Sequence, residues 1–337
     1  MIWPEYWYGC IICIYWQKTA KERGAMSFKK AVLINIADSH LDQVYWKKID
    51  ELVETRVSIG SDDPRLLEEL KDADVLLLGF GVAIGKELLD AAPNLKFINI
   101  LATAYGSVDL TAAAARNIPV CNLGGYSTEA VAEFTIAAIL QELRGLAEGA
   151  QRASAGNYDF TGIKARELKD SNFGVIGLGN IGNRVAELAA GFGANVSYWS
   201  RSQKDTPFSY HANLSDLLAH NDIISVNVAE AEDTIGLLNA NNLPLIPSSA
   251  ILISTVPASV IDTDALAKRL EKNDMTFIFD HPDTMPSKEL AKIKDLRSVV
   301  AYPAIAFITD EARIAKQKIF VGNMVGYLNG NTENQVN

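Results

Sequence analysis

Apolar residues recur along this chain in two rhythms. Short runs such as AVLINIAD (31–38) and DVLLLGF (74–80) are almost wholly apolar and close in turn residues. That is the pattern of a strand buried on both faces. LKFINI (95–100) and IPVCNL (118–123) read the same way. Between them, DPRLLEELKDA (63–73), GKELLDAAP (85–93) and DLTAAAARN (109–117) carry apolar residues at helical spacing, the first with Pro64 near its opening turn. A long helix is predicted over 127–150, capped by Ser127 or Thr128. A second series begins at Asn172, with strands predicted at 173–177, 195–199, 222–228, 250–255, 275–280 and 298–302. Helices fill the gaps, notably 180–191, 214–220 and 263–273, and a last helix runs from Thr309 to Leu328. Alternating strands and helices build parallel sheets covered on both faces. The prediction is an α/β protein of two doubly wound, Rossmann-like domains with a cleft between them.

One stretch carries more than fold information. GVIGLGNIGNRV (174–185) follows a strand and opens a helix, and it spaces its glycines as G-x-G-x-x-G. Gly177 allows the tight turn, Gly179 lets the backbone approach a pyrophosphate, and Gly182 lets helix and strand pack closely. Asn180 and Ile181 then lie at the helix N-terminus, where free N–H groups and the helix dipole favour phosphate. In that setting the motif is a dinucleotide-binding fingerprint. The next strand, NVSYWSRSQK (195–204), bears on which dinucleotide. A site for NAD places an acidic residue at its end to hold the ribose 2′-OH. Here Ser200, Arg201 and Ser202 stand there, with Lys204 beyond. Hydroxyls and a guanidinium suit a 2′-phosphate, so NADP(H) is expected over NAD(H).

Composition narrows the partners. The chain has 337 residues, enough for two domains, and a formal net charge of −10. That field repels phosphate backbones, so nucleic acid is not an expected partner. The only cysteines are Cys10, Cys13 and Cys121, too few for a disulfide framework, which points to a cytoplasmic protein. Four histidines show no metal-ligand spacing, so no metal is expected. Residues 1–25 differ from the rest: they crowd Trp3, Trp7 and Trp16 with Tyr6, Tyr8 and Tyr15, and have no basic residue before Lys18. They have no signal-peptide character, and their apolar run is too short to span a membrane. They read as an extraneous extension with Met26 as the functional start and Cys10-x-x-Cys13 as accidental; an interfacial anchor is the competing reading.

With these motifs in place, the chain resembles the D-2-hydroxyacid dehydrogenase family over nearly all of residues 30–330. ATAYGSVDLTAAAARNIPVCNLGGYSTEAVAEFTIAAIL (102–140), GVIGLGNIGNRVAELAAGFGANV (174–196), AILISTVPASVIDTDAL (250–266) and VVAYPAIAFITDEAR (299–313) carry the likeness. The resemblance implies a dinucleotide-binding domain of about 126–302 and a substrate domain of 26–125 plus 303–337. It implies a homodimer through the nucleotide domains; EAVAEFTIAAIL, too apolar to face water, is expected at the seam. It also implies cofactor contacts at Thr255 and Val256, at Thr234 in EDTIGLL, and at Asp280, which would meet the nicotinamide carboxamide.

The family's chemistry uses an arginine to hold the substrate carboxylate and carbonyl, a histidine to exchange the proton, and a glutamate behind it. In this chain those places are taken by Pro257, Ala304 and Met285. Acid–base help typically contributes 10²–10⁴-fold, so ordinary 2-keto acid reduction is expected to be absent or very slow. Two readings stand open. One is an oxidoreductase acting on a different small carbonyl or hydroxy substrate, with His281 as the proton donor, flanked by Asp280 and Asp283, and with Tyr302 and Tyr105 in reserve. The other is an NADP(H)-binding sensor or partner protein without turnover.

Overall fold

The computed structural model describes residues 27–337, and they divide into two units. The expectations for residues 1–25, Cys10 and Cys13 among them, lie outside the described residues. One unit runs to Tyr126 and takes in Arg313–Asn337; the other is Ser127–Ala312. Residues 303–312, expected with the substrate domain, therefore group with the second unit. Ala306 bonds back to the end of a strand in that unit, which ties the segment there.

The first unit is β1 (Phe28–Ile34), α1 (Gln43–Leu52), β2 (Val53–Ile59), α2 (Leu66–Leu70), β3 (Val75–Leu78), α3 (Lys86–Asp90), β4 (Phe97–Ile100), α4 (Leu110–Ala115) and β5 (Val120–Cys121). Its strands are all parallel, in the order β2-β1-β3-β4-β5. β3 and β4 are buried at every residue, which is why their sequences are unbroken apolar runs. α1 and β2 were not expected. β2 reads VETRVSI, is buried only at its two ends, and lies at the sheet edge. An edge strand needs little apolar character and gains protection from charge, so the period-2 signal is lost.

The second unit is α5 (Thr128–Leu143), α6 (Leu146–Ser154), β6 (Asn172–Ile176), α7 (Asn180–Gly191), β7 (Asn195–Trp199), β8 (Ser209–Tyr210), α8 (Leu214–His220), β9 (Ile223–Val226), β10 (Ile251–Ser254), α9 (Thr263–Leu270), β11 (Thr276–Phe279), α10 (Ser287–Ile293) and β12 (Val299–Ala301). The sheet is parallel throughout, in the order β12-β11-β10-β9-β6-β7-β8. Chain order reverses direction between β9 and β6, and ligands of such sheets bind beyond the strand carboxyl ends at that switch point.

The single helix expected over 127–150 is two. The break is at Gly145, whose φ of +58° is left-handed and whose missing Cβ would sit 2.9 Å from Ile163 Cγ2. The apolar stretch EAVAEFTIAAIL is largely covered within its own unit. Ala130, Val131, Ala132, Ile136, Ala138 and Ile139 are buried within the unit, where α5 packs on α7. The exposed apolar side chains nearby are instead Leu146, Tyr158 and Phe160.

A last helix, α11 (Asp310–Leu328), has the expected length. Its Phe320, Val321 and Met324 complete the core of the first unit, and Tyr327 stacks on Phe97 with ring centroids 4.7 Å apart. Beyond it, residues 331–337 run along β5: Val336 donates to the Val120 carbonyl, and Asn337 Oδ1 accepts the Val120 N–H.

Candidate functional site

β6 delivers the chain into Gly177, where φ is +90° and a Cβ would lie 2.7 Å from Val228 Cγ1. At Gly182 a Cβ would stand 1.9 Å from the Gly177 carbonyl oxygen, so only glycine lets α7 start so close to β6. Gly179 is different: nothing lies within 4 Å of where its Cβ would be. Two glycines are thus demanded by the fold, and the third leaves open space over the backbone. The Asn183 N–H closes the first turn on the Gly179 carbonyl at 2.8 Å. The N–H groups of Asn180 and Ile181 stand ahead of that bond, at the positive end of a twelve-residue helix.

β7 ends beside this loop. Ser200 is buried and spends its hydroxyl on the Ser202 carbonyl at 2.6 Å. Ser202 and Lys204 are exposed. Arg201 reaches outward, and its Nη2 lies 2.7 Å from Asp233 Oδ1. Asp233 belongs to the loop after β9, which is held by the buried Thr234. The Thr234 hydroxyl donates to the Ala229 carbonyl at 2.7 Å and accepts the Ala231 N–H at 2.8 Å. Thr234 is therefore a fastener within its loop.

Three strands along, the same edge of the sheet changes character. After β10, Thr255 and Val256 are half-buried and Pro257 is exposed, opening a short 3₁₀ turn over Ala258–Val260. Ser259 donates its hydroxyl to Glu230 Oε1 at 2.7 Å. β11 runs into Asp280, which has no exposed surface. Its Oδ2 accepts the Ala306 N–H at 3.1 Å, while Oδ1 has no hydrogen-bond partner among the described residues. Burial pushes the Asp280 carboxyl above the ordinary carboxylate range, and the neighbouring His281 opposes that shift. His281 Nε2 lies 3.5 Å from the free Oδ1, and the imidazole is 22% exposed. With Val256, Ala258, Phe279 and Met285, His281 lines a small apolar recess. Met285 is buried there, and Ala304 is half-buried on the following loop.

Tyr302 lies elsewhere. Its ring meets Phe134 edge-on at 5.4 Å, its hydroxyl accepts from Gln141 Nε2, and burial raises its pKa. It packs on the α5 side of the sheet, whereas His281 lines the recess on the other side. Tyr105, in the first unit, is exposed. Burial pushes the Cys121 thiol up to about 11, which removes it as a nucleophile. Among the described residues no group of three or more histidine, cysteine, aspartate or glutamate side chains is placed to hold a metal.

Tyr302 apart, the site residues predicted in the second unit gather along one edge of one sheet. The glycine loop and Asp280 are separated by β9 and β10, three strand spacings or roughly 14 Å. A dinucleotide laid across that edge would set its pyrophosphate on the α7 N-terminus and its nicotinamide amide near an unsatisfied buried acceptor. The residues present fit that group. Sequence reasoning missed the Arg201–Asp233 pair and the Glu230–Ser259 bond. Both join loops from different strands, and no local spacing signals such a contact. Asn227 was missed too: it follows β9 at the switch point, and its buried Oδ1 has no partner among the described residues.

The chain is similar to known proteins over most of its length. Residues 136–306 match the family model described as D-isomer specific 2-hydroxyacid dehydrogenase, NAD binding domain. A glyoxylate reductase of Thermofilum pendens is 31% identical over 278 residues, covering 79% of this chain and 81% of that protein. A glyoxylate reductase of Pyrococcus furiosus is 26% identical over 312 residues, covering 88% and 89%. Among solved structures, an acyclic imino acid reductase in complex with NADPH and D-Arg superposes with a TM-score of 0.80 at 25% identity, over 91% of this chain and 100% of that one. The D-lactate dehydrogenase of Aquifex aeolicus, complexed with NAD and lactic acid, gives a TM-score of 0.79 at 25% identity, over 91% and 98%.

Proposed function

Because the chain belongs to the D-isomer specific 2-hydroxyacid dehydrogenase family, we propose that it is an NAD(P)-dependent oxidoreductase whose substrate is not an ordinary 2-keto acid. The observation that carries this reading is Asp280: a buried carboxylate whose Oδ1 has no hydrogen-bond partner among the described residues and lies 3.5 Å from His281 Nε2, on the edge that also bears the glycine loop. Leaving a buried acceptor unpaired costs about 1–3 kcal/mol. A protein keeps such a group when a ligand satisfies it, and the amide of a nicotinamide ring is the matching donor.

A bound nicotinamide supplies or takes up a hydride. What this chain adds is the placement around it. Gly177, Gly179 and Gly182 with the N–H groups of Asn180 and Ile181 hold the phosphates, Asp280 orients the ring amide, and Thr255 and Val256 flank it. His281 would give a proton to the carbonyl oxygen or imine nitrogen of the substrate as hydride reaches the carbon, and would take it back in the reverse direction. Arg201 and Ser202 favour NADP(H), with Ser200, its hydroxyl bonded to the Ser202 carbonyl, shaping the turn between them.

The substrate is a small carbonyl compound or imine without a 2-carboxylate. At the arginine position stands Pro257, and the neighbouring carboxylate of Glu230 would repel an acid substrate. The recess of Val256, Ala258 and Met285 suits an apolar substituent. The acyclic imino acid reductase of similar fold makes imines part of the test. The protein is cytoplasmic and works as a homodimer, for which the exposed Leu146, Tyr158 and Phe160 offer contact surface. No helix among the described residues is long and apolar enough to cross a membrane.

The test is a screen of aldehydes, ketones and imines with NADPH, alongside glyoxylate, pyruvate and hydroxypyruvate against a buffer-only control. Turnover on a neutral carbonyl or imine is expected. Ordinary enzyme rates on the three keto acids, roughly 1 s⁻¹ or more, would refute the substrate reading. Tight NADPH binding with no turnover on any compound would leave a sensor in its place.

A further inference from the structure

The ion pair between Arg201 and Asp233 spans the mouth of the glycine loop. Arg201 follows β7 and Asp233 follows β9, and in the sheet β6 lies between those two strands. A contact at 2.7 Å between residues beyond β7 and β9 therefore passes over the carboxyl end of β6, where the phosphate-binding turn begins. The loop that carries Asp233 is held in place. The next residue, Thr234, is buried and pins its loop by two side-chain hydrogen bonds, and the Thr234 N–H adds a third to the Ala231 carbonyl at 2.9 Å. The side chains of Arg201 and Asp233 are themselves exposed, 67% and 59%, so the guanidinium has room to turn from the carboxylate to another anion.

We propose that Asp233 is a specificity-determining residue of the cofactor site: it competes with the 2′-phosphate of NADP(H) for the Arg201 guanidinium and so sets how far that cofactor is preferred. This rests on the reading of Ser200-Arg201-Ser202 as a 2′-phosphate site. The guanidinium is the only cation of that triplet, and its fork matches a phosphate or a carboxylate equally well. In the free protein the carboxylate has it. A 2′-phosphate, with its greater charge and its three acceptor oxygens, takes the guanidinium over and leaves Asp233 facing a like charge. NADH brings no group able to make that exchange. The carboxylate thus lowers NADPH affinity without raising NADH affinity, and the preference is smaller than Arg201 alone would produce.

The test is a set of fluorescence titrations with NADPH and with NADH on the full chain, for the wild type, Asp233→Asn, Arg201→Ala and the double variant. Asp233→Asn is expected to tighten NADPH about 3- to 10-fold and to leave NADH within about twofold. In the Arg201→Ala background the same substitution should do much less. Melting temperatures close to wild type show that both surface variants are folded. If Arg201→Ala weakens NADPH while Asp233→Asn leaves it within twofold, Asp233 is a bystander and this inference fails alone. If Asp233→Asn tightens NADPH equally with and without Arg201, competition for the guanidinium is overturned. If Arg201→Ala leaves NADPH binding unchanged, the 2′-phosphate reading beneath it fails first.

Discussion

The two ends of the second sheet's carboxyl edge are built by different means. At the β6–β7 end the backbone itself makes the site: Gly177 needs its positive φ, and Gly182 has a carbonyl oxygen where any Cβ would go. At the β10–β12 end side chains would make the site, and they stand on loops. Pro257 is exposed, Ala304 is half-buried, and only Met285 of that group is buried. A backbone-built site cannot drift without unfolding its unit. A side-chain-built site can lose every reactive group and keep the fold. A fold of this kind can therefore keep its glycine turn while the side chains at the other end vary.

The largest effect should come from the rigid end. Gly182→Val places a branched side chain on the Gly177 carbonyl and should cost roughly 3 kcal/mol or more, with loss of NADPH binding. Urea unfolding and a fluorescence titration read both; cofactor affinity within twofold of wild type would dissolve the contrast. At the other end His281→Ala should lower turnover on the substrate found by screening by roughly 10²-fold and leave NADPH affinity nearly unchanged. Activity that survives the substitution would move the proton donor elsewhere. A smaller effect is expected at Asp280. Its carboxyl titrates above the ordinary range in the folded protein, so its contribution to stability is fullest in acid and falls as pH rises through that raised value. Asp280→Asn should therefore stabilise the protein at pH 7 by about 1 kcal/mol, with the gain shrinking toward pH 4. Thermal melts across that range check the sign. A gain that grows in acid would contradict a buried, disfavoured carboxylate.

The same division decided what the sequence revealed. The glycine loop was legible because each of its residues answers to backbone geometry, and α7 and α8 have the bounds their patterns predicted. β3 and β4 were legible because burial on both faces writes an apolar run. α1 and β2 were not, since α1 buries only Tyr45, Trp46 and Ile49 and β2 is a polar edge. The apolar run in α5 was visible, but not what covers it: a hydrophobic face needs a partner, and sequence does not say whether that partner is α7 or a second chain. At the candidate site, Asp280 was singled out by the family resemblance, while the missing hydrogen bond at its Oδ1 and the Arg201–Asp233 contact depend on loops meeting in space. Tyr302 looked reactive as a residue type, and its surroundings on Phe134 and Gln141 are those of a packing residue.

The return of the chain to the first unit has a consequence for how the protein is made. Residues 127–312 are continuous, so the second unit has all its strands as soon as they leave the ribosome. The first unit has β1–β5 long before that, but it lacks Phe320, Val321, Met324 and the strip that covers β5 until residues 313–337 are synthesised. During that interval its early strands carry an uncovered apolar face and an open edge, the condition under which nascent chains recruit chaperones or pair with one another. The slower the second unit is translated, the longer that interval lasts.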